Sequence, residues 1–210
     1  MGVNPMLNQG RASFTREPAD QRRQALIDAT AACLAEKGVA GTSVRTICAR
    51  AGVSPGLLRH YFAGVDALVA ETYREVTQRV AETFAAAVAA AGDVPRDRLI
   101  AYVTASFKPP ITDPSLLATW LAFWSLVKTD ADIAKIHGET YCAYRGDLED
   151  LLGACDMASA EAGPVAIALT ALVDGLWLEL SLDPTTFTPE QASAMAVRWL
   201  DTLLERPAFG

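Results

Sequence analysis

Apolar residues recur at intervals of three and four along most of the chain, and short runs of Gly, Pro and polar residues separate these periodic segments. The first segment predicts a helix over 18–37. A short second helix follows, which Thr42 or Ser43 caps and Gly52 ends. Ser54 and the proline after it then supply the N-cap and the first helical position of a third short helix.

The rest of the chain predicts one long helix, which could link two modules, and five further helices. Their predicted bounds are 65–91, 96–107, 114–129, 130–152, 163–182 and 188–204. Ala is the commonest apolar residue and Val and Ile are scarce beside it, which favours helices over sheets. We therefore predict an all-α fold of about nine helices.

The predicted helix over 163–182 has the length and the apolar character of a membrane-spanning segment. It contains Asp174 and Glu179, however, and no cluster of Lys or Arg flanks it. A carboxylate at the centre of a spanning helix costs about 2.5 to 3.5 kcal/mol on insertion. We therefore expect a buried core helix and no membrane partner.

The charge is distributed unevenly along the chain. The 210 residues are 51% hydrophobic, which excludes a disordered chain. Their net charge of −7 argues against nucleic-acid binding. Residues 1–65 nevertheless hold eight basic and four acidic side chains, so that part is +4 and the remainder is −11. The N-terminal part is a candidate surface for a polyanion, although a solvated basic helix would give the same asymmetry.

The sequence offers little chemistry for catalysis or for metal binding. The chain has four cysteines and two histidines, and no two cysteines form a C-x-x-C pair. These residues are Cys33, Cys48, Cys142, Cys155, His60 and His137. No Ser-His or Cys-His arrangement and no glycine-rich phosphate loop stands out. We therefore expect no catalytic residue, no metal and no cofactor. The polar segment 1–17 lacks the apolar core of a signal peptide, which predicts a cytoplasmic protein with reduced thiols. We expect this segment to form a flexible arm.

Residues 42–62 combine two short helices with a turn of about four residues that begins at a glycine, as in a helix-turn-helix. Gly52 lets the chain turn where a Cβ atom would clash. Ile47, Val53 and Leu58 can pack both helices against the first helix. The second short helix could then lie in the major groove of DNA, with its N-terminal residues at the base edges.

The longer string around this motif, AGTSVRTICARAGVSPGLLRHYFAGVDALV, resembles the DNA-binding region of the TetR family of one-component bacterial regulators. The segments TWLAFWSLV (119–127) and ALVDGLWLELSL (171–182) resemble the C-terminal domain of BetI-type regulators, the choline-responsive branch. We therefore expect a flexible arm over 1–17, a helix-turn-helix domain over 18–64, and a domain for ligand binding and dimerisation over 65–210.

The resemblance implies that seven side chains lie at the DNA: Thr42, Arg45, Ser54, Leu57, Arg59, His60 and Tyr61. The threonine and the His-Tyr pair would contact phosphates, and the two arginines would reach phosphates or base edges. Ser54 would cap the recognition helix and Leu57 could touch a thymine methyl group. One departure is Val65, where the family usually has a lysine that meets a phosphate. An arginine on the N-terminal side could replace that charge: Arg11, Arg16, Arg22 or Arg23.

Aromatic residues and one acidic residue in the C-terminal part suggest a ligand site. The candidates are Trp120, Phe123, Trp124, Asp174 and Trp177, the last two of which share a helix face at a spacing of three. A carboxylate among indole rings can hold a quaternary ammonium group. In the alternative interpretation the tryptophans fill a core, and Asp174 bonds a neighbouring hydroxyl or faces a partner subunit.

The resemblance implies a homodimer in which the last two helices of each subunit form a four-helix bundle, and Leu200 is a candidate interface residue. The predicted function is a repressor that a small molecule, such as a quaternary ammonium or other cation, releases from a palindromic operator. A neutral hydrophobic ligand is the alternative effector. The competing classes are a helical enzyme with Asp174 in its pocket and an interaction protein whose helix-turn-helix has lost DNA binding.

Overall fold

In the computed structural model, residues 19–205 are described, and the predicted arm over 1–17 lies outside them. The described residues form nine α-helices and no strand, which confirms the all-α prediction. The helices are α1 (Ala19–Gly41), α2 (Val44–Ala51), α3 (Pro55–Tyr61), α4 (Val65–Ala90), α5 (Pro95–Ala105), α6 (Pro114–Leu126), α7 (Ala131–Ala154), α8 (Ser159–Leu182) and α9 (Pro189–Glu205).

The first three helices and the start of α4 surround a small core. It is formed by Leu26, Ile27, Ala29, Cys33, Ile47, Cys48, Leu58, Phe62 and Leu68. Ser43, not Thr42, caps α2 by accepting a hydrogen bond from the Thr46 amide, while the Thr42 hydroxyl donates to the Gly38 carbonyl. Gly52 ends α2 with a φ of 66°, a left-handed conformation in which glycine avoids the strain of a Cβ atom. These local features fix the turn between α2 and α3.

A larger core lies among α4 to α9, and its biggest fully buried side chains include Tyr73, Leu99 and Phe123. Of the described residues, α8 alone is long and apolar enough to cross a membrane by length and composition. The core helix of a globular protein has the same character, and residues such as Leu169, Val173 and Trp177 on α8 are buried in this core. The prediction of a core helix is therefore confirmed for these side chains.

The start of α8 differs from the prediction. The helix begins at Ser159, and Pro164 lies inside it, whereas the sequence predicted a start at residue 163. Proline favours the first turn of a helix, so the Gly-Pro pair resembled a helix start. Ala162, which is buried against the core, instead extends the helix toward its N-terminus. Tertiary packing therefore overrides the local signal here.

The prediction that Leu200 lies at the dimer interface was wrong. It is fully buried in the core of its own subunit, with no exposed surface. The large apolar side chains that α8 and α9 do expose are Ile167, Leu182, Met195 and Trp199. An interface on these two helices would use these exposed side chains, because they are not buried inside the subunit.

Packing among α1, α4 and α6 connects the small core to the large one. Val65, at the start of α4, packs against both hydrophobic clusters. The Thr119 hydroxyl on α6 lies 3.1 Å from the Ala31 carbonyl oxygen on α1 and 2.7 Å from the Ser115 carbonyl oxygen of its own helix, so the two carbonyls share its one proton. Through α1, α4 and α6, a displacement in the large core can therefore reach the helix-turn-helix.

Candidate functional site

The residues predicted to contact DNA lie on or beside α2 and α3. Arg45, Ser54, Arg59 and His60 are exposed, while Thr42, Leu57 and Tyr61 are half-buried. The Ser54 hydroxyl accepts a hydrogen bond of 3.2 Å from the Leu57 amide and so caps α3. The rings of His60 and Tyr61 meet edge to face, 5.0 Å apart. The side chains are thus accessible on a short, capped helix.

Some arginines of this region form ion pairs and others do not. Arg45 and Arg59 form no ion pair with any residue in 19–205. Arg50 pairs with Glu36. Arg23 pairs with Glu71, and its guanidinium lies 5.5 Å from the centre of the Phe62 ring. Free guanidinium groups are therefore available at the positions from which a groove or a phosphate would be reached.

Of the arginines that could supply the charge missing at Val65, Arg23 is paired with Glu71. Arg22 is half-buried on α1 and forms no ion pair in the described part of the chain. The other two candidates, Arg11 and Arg16, lie outside the described residues. Val65 itself contributes packing, since its side chain joins the two cores.

A cavity of about 300 Å³ lies in the larger core, between α4, α5, α6, α7 and α8. Its aromatic lining is Phe84, Tyr102, Trp120, Tyr141, Tyr144 and Trp177. Three ionisable acids also line it: Glu139, Asp147 and Asp174. No Lys, Arg or His is among the described residues that form its wall. The cavity therefore combines π-faces with negative charge.

The structure brings three of the five predicted ligand-site residues to this cavity. Trp120, Asp174 and Trp177 line it, and the two indole rings meet edge to face at 5.8 Å. Trp124 contacts Trp177 at 6.4 Å between ring centres but is not part of the lining. Phe123 is fully buried and stacks on Tyr73 at 4.2 Å, so it supports the wall from behind.

The sequence interpretation missed the tyrosines. Tyr141 and Tyr144 lie on α7, and Tyr102 on α5 stacks against Tyr144 at 5.3 Å. The spacing of three between Tyr141 and Tyr144 places both on one side of a helix, and this was the available signal. It gave no indication of the facing element, because Tyr102 is 42 residues from Tyr144 along the chain.

Asp174 is the chemically distinctive group of the cavity. Burial raises the pKa of Asp174 to about 6, although the Tyr141 hydroxyl and the Arg145 guanidinium lower it in part. Burial, and next the charge of Asp174, raises the pKa of Tyr141 and of Tyr144 above the usual range, so both hydroxyls stay neutral. A carboxylate with this little compensation gains free energy when a cation binds beside it.

Two polar groups on the cavity residues are buried without a hydrogen-bond partner in the described chain, the Tyr144 hydroxyl and the Trp177 indole N–H. Ser106 is close enough to lower the pKa of Tyr144, yet the two side chains do not meet hydrogen-bond geometry. Nearly all buried polar groups in folded proteins are paired. These two groups are exceptions, and both atoms are shielded from solvent.

Family models match most of the described chain. Residues 26–72 match the model for bacterial regulatory proteins of the tetR family. Residues 95–205 match the model for the C-terminal part of BetI-type transcriptional repressors. The HTH-type transcriptional regulator BetI of Burkholderia thailandensis is 35% identical over 87% of this chain and 93% of its own length. The protein of the same name from Paraburkholderia xenovorans is 34% identical over the same shares.

Solved structures show the same architecture. A protein from Pseudomonas aeruginosa PAO1, described as a transcriptional regulator, has a TM-score of 0.83 and 44% identity, and the match covers 92% of this chain and 95% of that one. A regulator from Saccharomonospora viridis in complex with choline has a TM-score of 0.75 at 15% identity, covering 87% and 96%, and so shares the fold. The chain therefore belongs to the TetR family of transcriptional regulators, and its C-terminal part is of the BetI type.

Proposed function

We propose that this regulator is a repressor that a small organic cation releases from a palindromic operator. The observation that carries the cationic ligand is Asp174, a largely buried carboxylate in an aromatic cavity whose described wall contains no basic side chain. The name of its BetI relatives and the choline bound to the S. viridis regulator suggest choline as the first probe. We propose no catalytic role, and operator binding would place the protein in the bacterial cytoplasm.

On the DNA side, the unit over 18–64 would bind and the unit over 65–210 would sense the ligand. Arg59 projects from α3, the helix that would enter the major groove, and its free guanidinium could bond guanine O6 and N7 as a fork. Arg45 lies on α2, which would cross the phosphate backbone. Supporting this role, the α2 and α3 caps and Gly52 fix where α2 ends and where α3 begins.

The dimer would form through the outer faces of α8 and α9. Ile167 and Leu182 on α8 are 59% and 66% exposed, and Trp199 on α9 is 54% exposed. Between the first two, Ala171 and Gly175 continue an exposed stripe of small residues that would let a second helix approach closely. A patch of this kind is typical of a subunit interface. Two recognition helices about 34 Å apart would then read a palindrome.

The signal from ligand to DNA would pass through α6 as well as α4. Trp120 lines the cavity, and the hydroxyl of the adjacent Thr119 lies 3.1 Å from the Ala31 carbonyl oxygen of α1. A ligand that pushes Trp120 would therefore move the helix that carries the small core. For release to follow, the ligand must bind the DNA-free arrangement more tightly than the DNA-bound one.

Fluorescence anisotropy with labelled DNA from the region flanking the protein's own coding sequence tests this function. We expect binding at protein concentrations that leave scrambled DNA free, and release when choline is added. If the protein bound neither DNA, this would support an interaction protein that has lost DNA binding. Release by neutral aromatic compounds but not by choline would assign the cavity to hydrophobic ligands.

The two free arginines are expected to have different roles in DNA binding. Arg59→Ala should cost about 1 to 3 kcal/mol on the operator and relax specificity at one position of each half-site, because a bidentate base contact is lost. Arg45→Ala should weaken operator and scrambled DNA more evenly, since phosphates are common to both. Titrations of both variants on both DNAs decide this. Equal losses on the two DNAs for Arg59→Ala would reject base reading by Arg59.

A further inference from the structure

A second carboxylate lies at the same cavity. Asp147, on α7, is exposed and forms part of the lining. The Tyr102 hydroxyl donates a hydrogen bond of 3.0 Å to its Oδ2 atom. Within residues 19–205, Oδ1 of Asp147 accepts no hydrogen bond and the side chain forms no ion pair. One oxygen is therefore oriented by the protein and the other is available to a ligand.

The two aspartates lie on neighbouring helices, Asp147 exposed on α7 and Asp174 more buried on α8. Asp174 faces the Tyr141 hydroxyl, and its charge also acts on Tyr144. Asp147 is six residues beyond Tyr141 on the same helix, which is about 9 Å along a helix axis. The tyrosine between them, Tyr144, stacks on Tyr102, the residue that holds Asp147. A continuous aromatic wall therefore joins the buried carboxylate to the exposed one.

The charges around the cavity leave both carboxylates without a strong partner. Arg145, the cation nearest to Asp174, lies 6.0 Å from the centre of the Tyr141 ring and is not part of the lining. The third acid, Glu139, has a weak pair with Lys135 at 3.9 Å, and both side chains are largely exposed. A ligand with a single charge would neutralise Asp174 and leave Asp147 unpaired.

We propose that the cavity accepts a linear aliphatic dication, with one ammonium group at Asp174 and the other at Asp147. The methylene chain would lie along the wall of Tyr141, Tyr144 and Tyr102. This inference rests on the proposed function, since it specifies the class of cation that the same site takes. Ammonium groups near tyrosine faces gain cation–π stabilisation, and the aromatic wall covers the apolar chain between them.

Calorimetric titration with cadaverine and with n-pentylamine tests the second charge, because the two ligands share a chain length and differ by one ammonium group. We expect cadaverine to bind the native protein about three- to fivefold more tightly, the gain typical of an added exposed ion pair. Asp147→Asn should remove this preference and change the affinities for pentylamine and choline much less than it changes the affinity for cadaverine. Asp150→Asn, an exposed α7 residue outside the lining, is the matched control and should keep the preference.

The outcomes separate the two proposals. Equal affinity for cadaverine and pentylamine in the native protein would overturn the dication while leaving a cation site at Asp174 intact. The same would follow if Asp147→Asn and Asp150→Asn behaved alike. Failure of both amines and choline to bind would instead overturn the proposed cationic effector. Putrescine and spermidine, titrated in parallel, would show which charge separation the cavity prefers.

Discussion

Asp174→Asn is expected to lower the affinity for choline by about 2 to 4 kcal/mol, roughly 30- to 1,000-fold, and to leave operator affinity nearly unchanged. The substitution removes the charge and keeps the shape of the side chain. Asp174 is far from α2 and α3 in the sequence and lies in the separate, larger core region with Trp177. Calorimetry with choline and anisotropy with operator DNA measure the two effects independently.

The pH dependence gives this prediction a second signature. The pKa of Asp174 in the free protein is raised to about 6 by burial. A cation binds the ionised form, so affinity should be complete above pH 6 and fall by up to about tenfold per pH unit below it. Among the groups around Asp174, the tyrosines Tyr73, Tyr141 and Tyr144 have raised pKa values and stay neutral in this range.

His137, which contacts Tyr73 at 3.2 Å, is a further neighbouring group that could change charge. Burial, and next Arg145, lowers the pKa of His137, so it gains a proton at lower pH than a free imidazole. Any slope that persists in Asp174→Asn reports a group other than Asp174. An unchanged choline affinity in Asp174→Asn, or an identical pH profile, would contradict the cation site and leave an apolar pocket.

The same pKa shift predicts the effect on stability. A carboxyl group whose folded pKa lies above its unfolded value favours folding when protonated, and this contribution is lost as pH rises through about 6. Asp174→Asn should therefore not lower the Tm at pH 7, because the ionised carboxylate opposes folding there. A loss of choline affinity in Asp174→Asn could then not be attributed to unfolding.

Trp199→Glu is expected to produce a folded monomer that binds the operator about 100- to 10,000-fold more weakly. Trp199 is 54% exposed in the subunit, so a charge there should leave the subunit core intact. In the bundle of α8 and α9 the same charge would be buried without a partner, which opposes dimerisation. A monomer engages one half-site and loses the effective concentration of the second head.

Light scattering and circular dichroism on three variants test this prediction. Val94→Glu, at an apolar position that is 55% exposed outside α8 and α9, should remain a dimer. Leu200→Asp should lose its helical signal altogether, since it places a carboxylate at a fully buried core position. A dimeric Trp199→Glu would place the interface elsewhere, and a folded, monomeric Leu200→Asp would contradict the core assignment of Leu200.

Much of the N-terminal part follows from short-range signals that the sequence carries by itself. A serine cap, a glycine that accepts a positive φ, and a proline in the first turn each act within a few residues. They therefore predicted α2, the turn at Gly52 and α3 with almost their observed bounds. The long apolar segment likewise predicted a core helix, because the period of its apolar residues matches the helix. The family resemblance added the roles expected of Arg45 and Arg59.

Tertiary structure decided which faces meet. Leu200 and Trp199 are adjacent in sequence, yet one is fully buried and the other exposed, because successive residues point about 100° apart around a helix. Asp174 and Trp177 shared a face by spacing alone, whereas the tyrosines of α5 and α7 joined them only through packing between distant segments. Periodicity within one helix fixes which residues share a face, and only the arrangement of neighbouring helices determines what that face contacts.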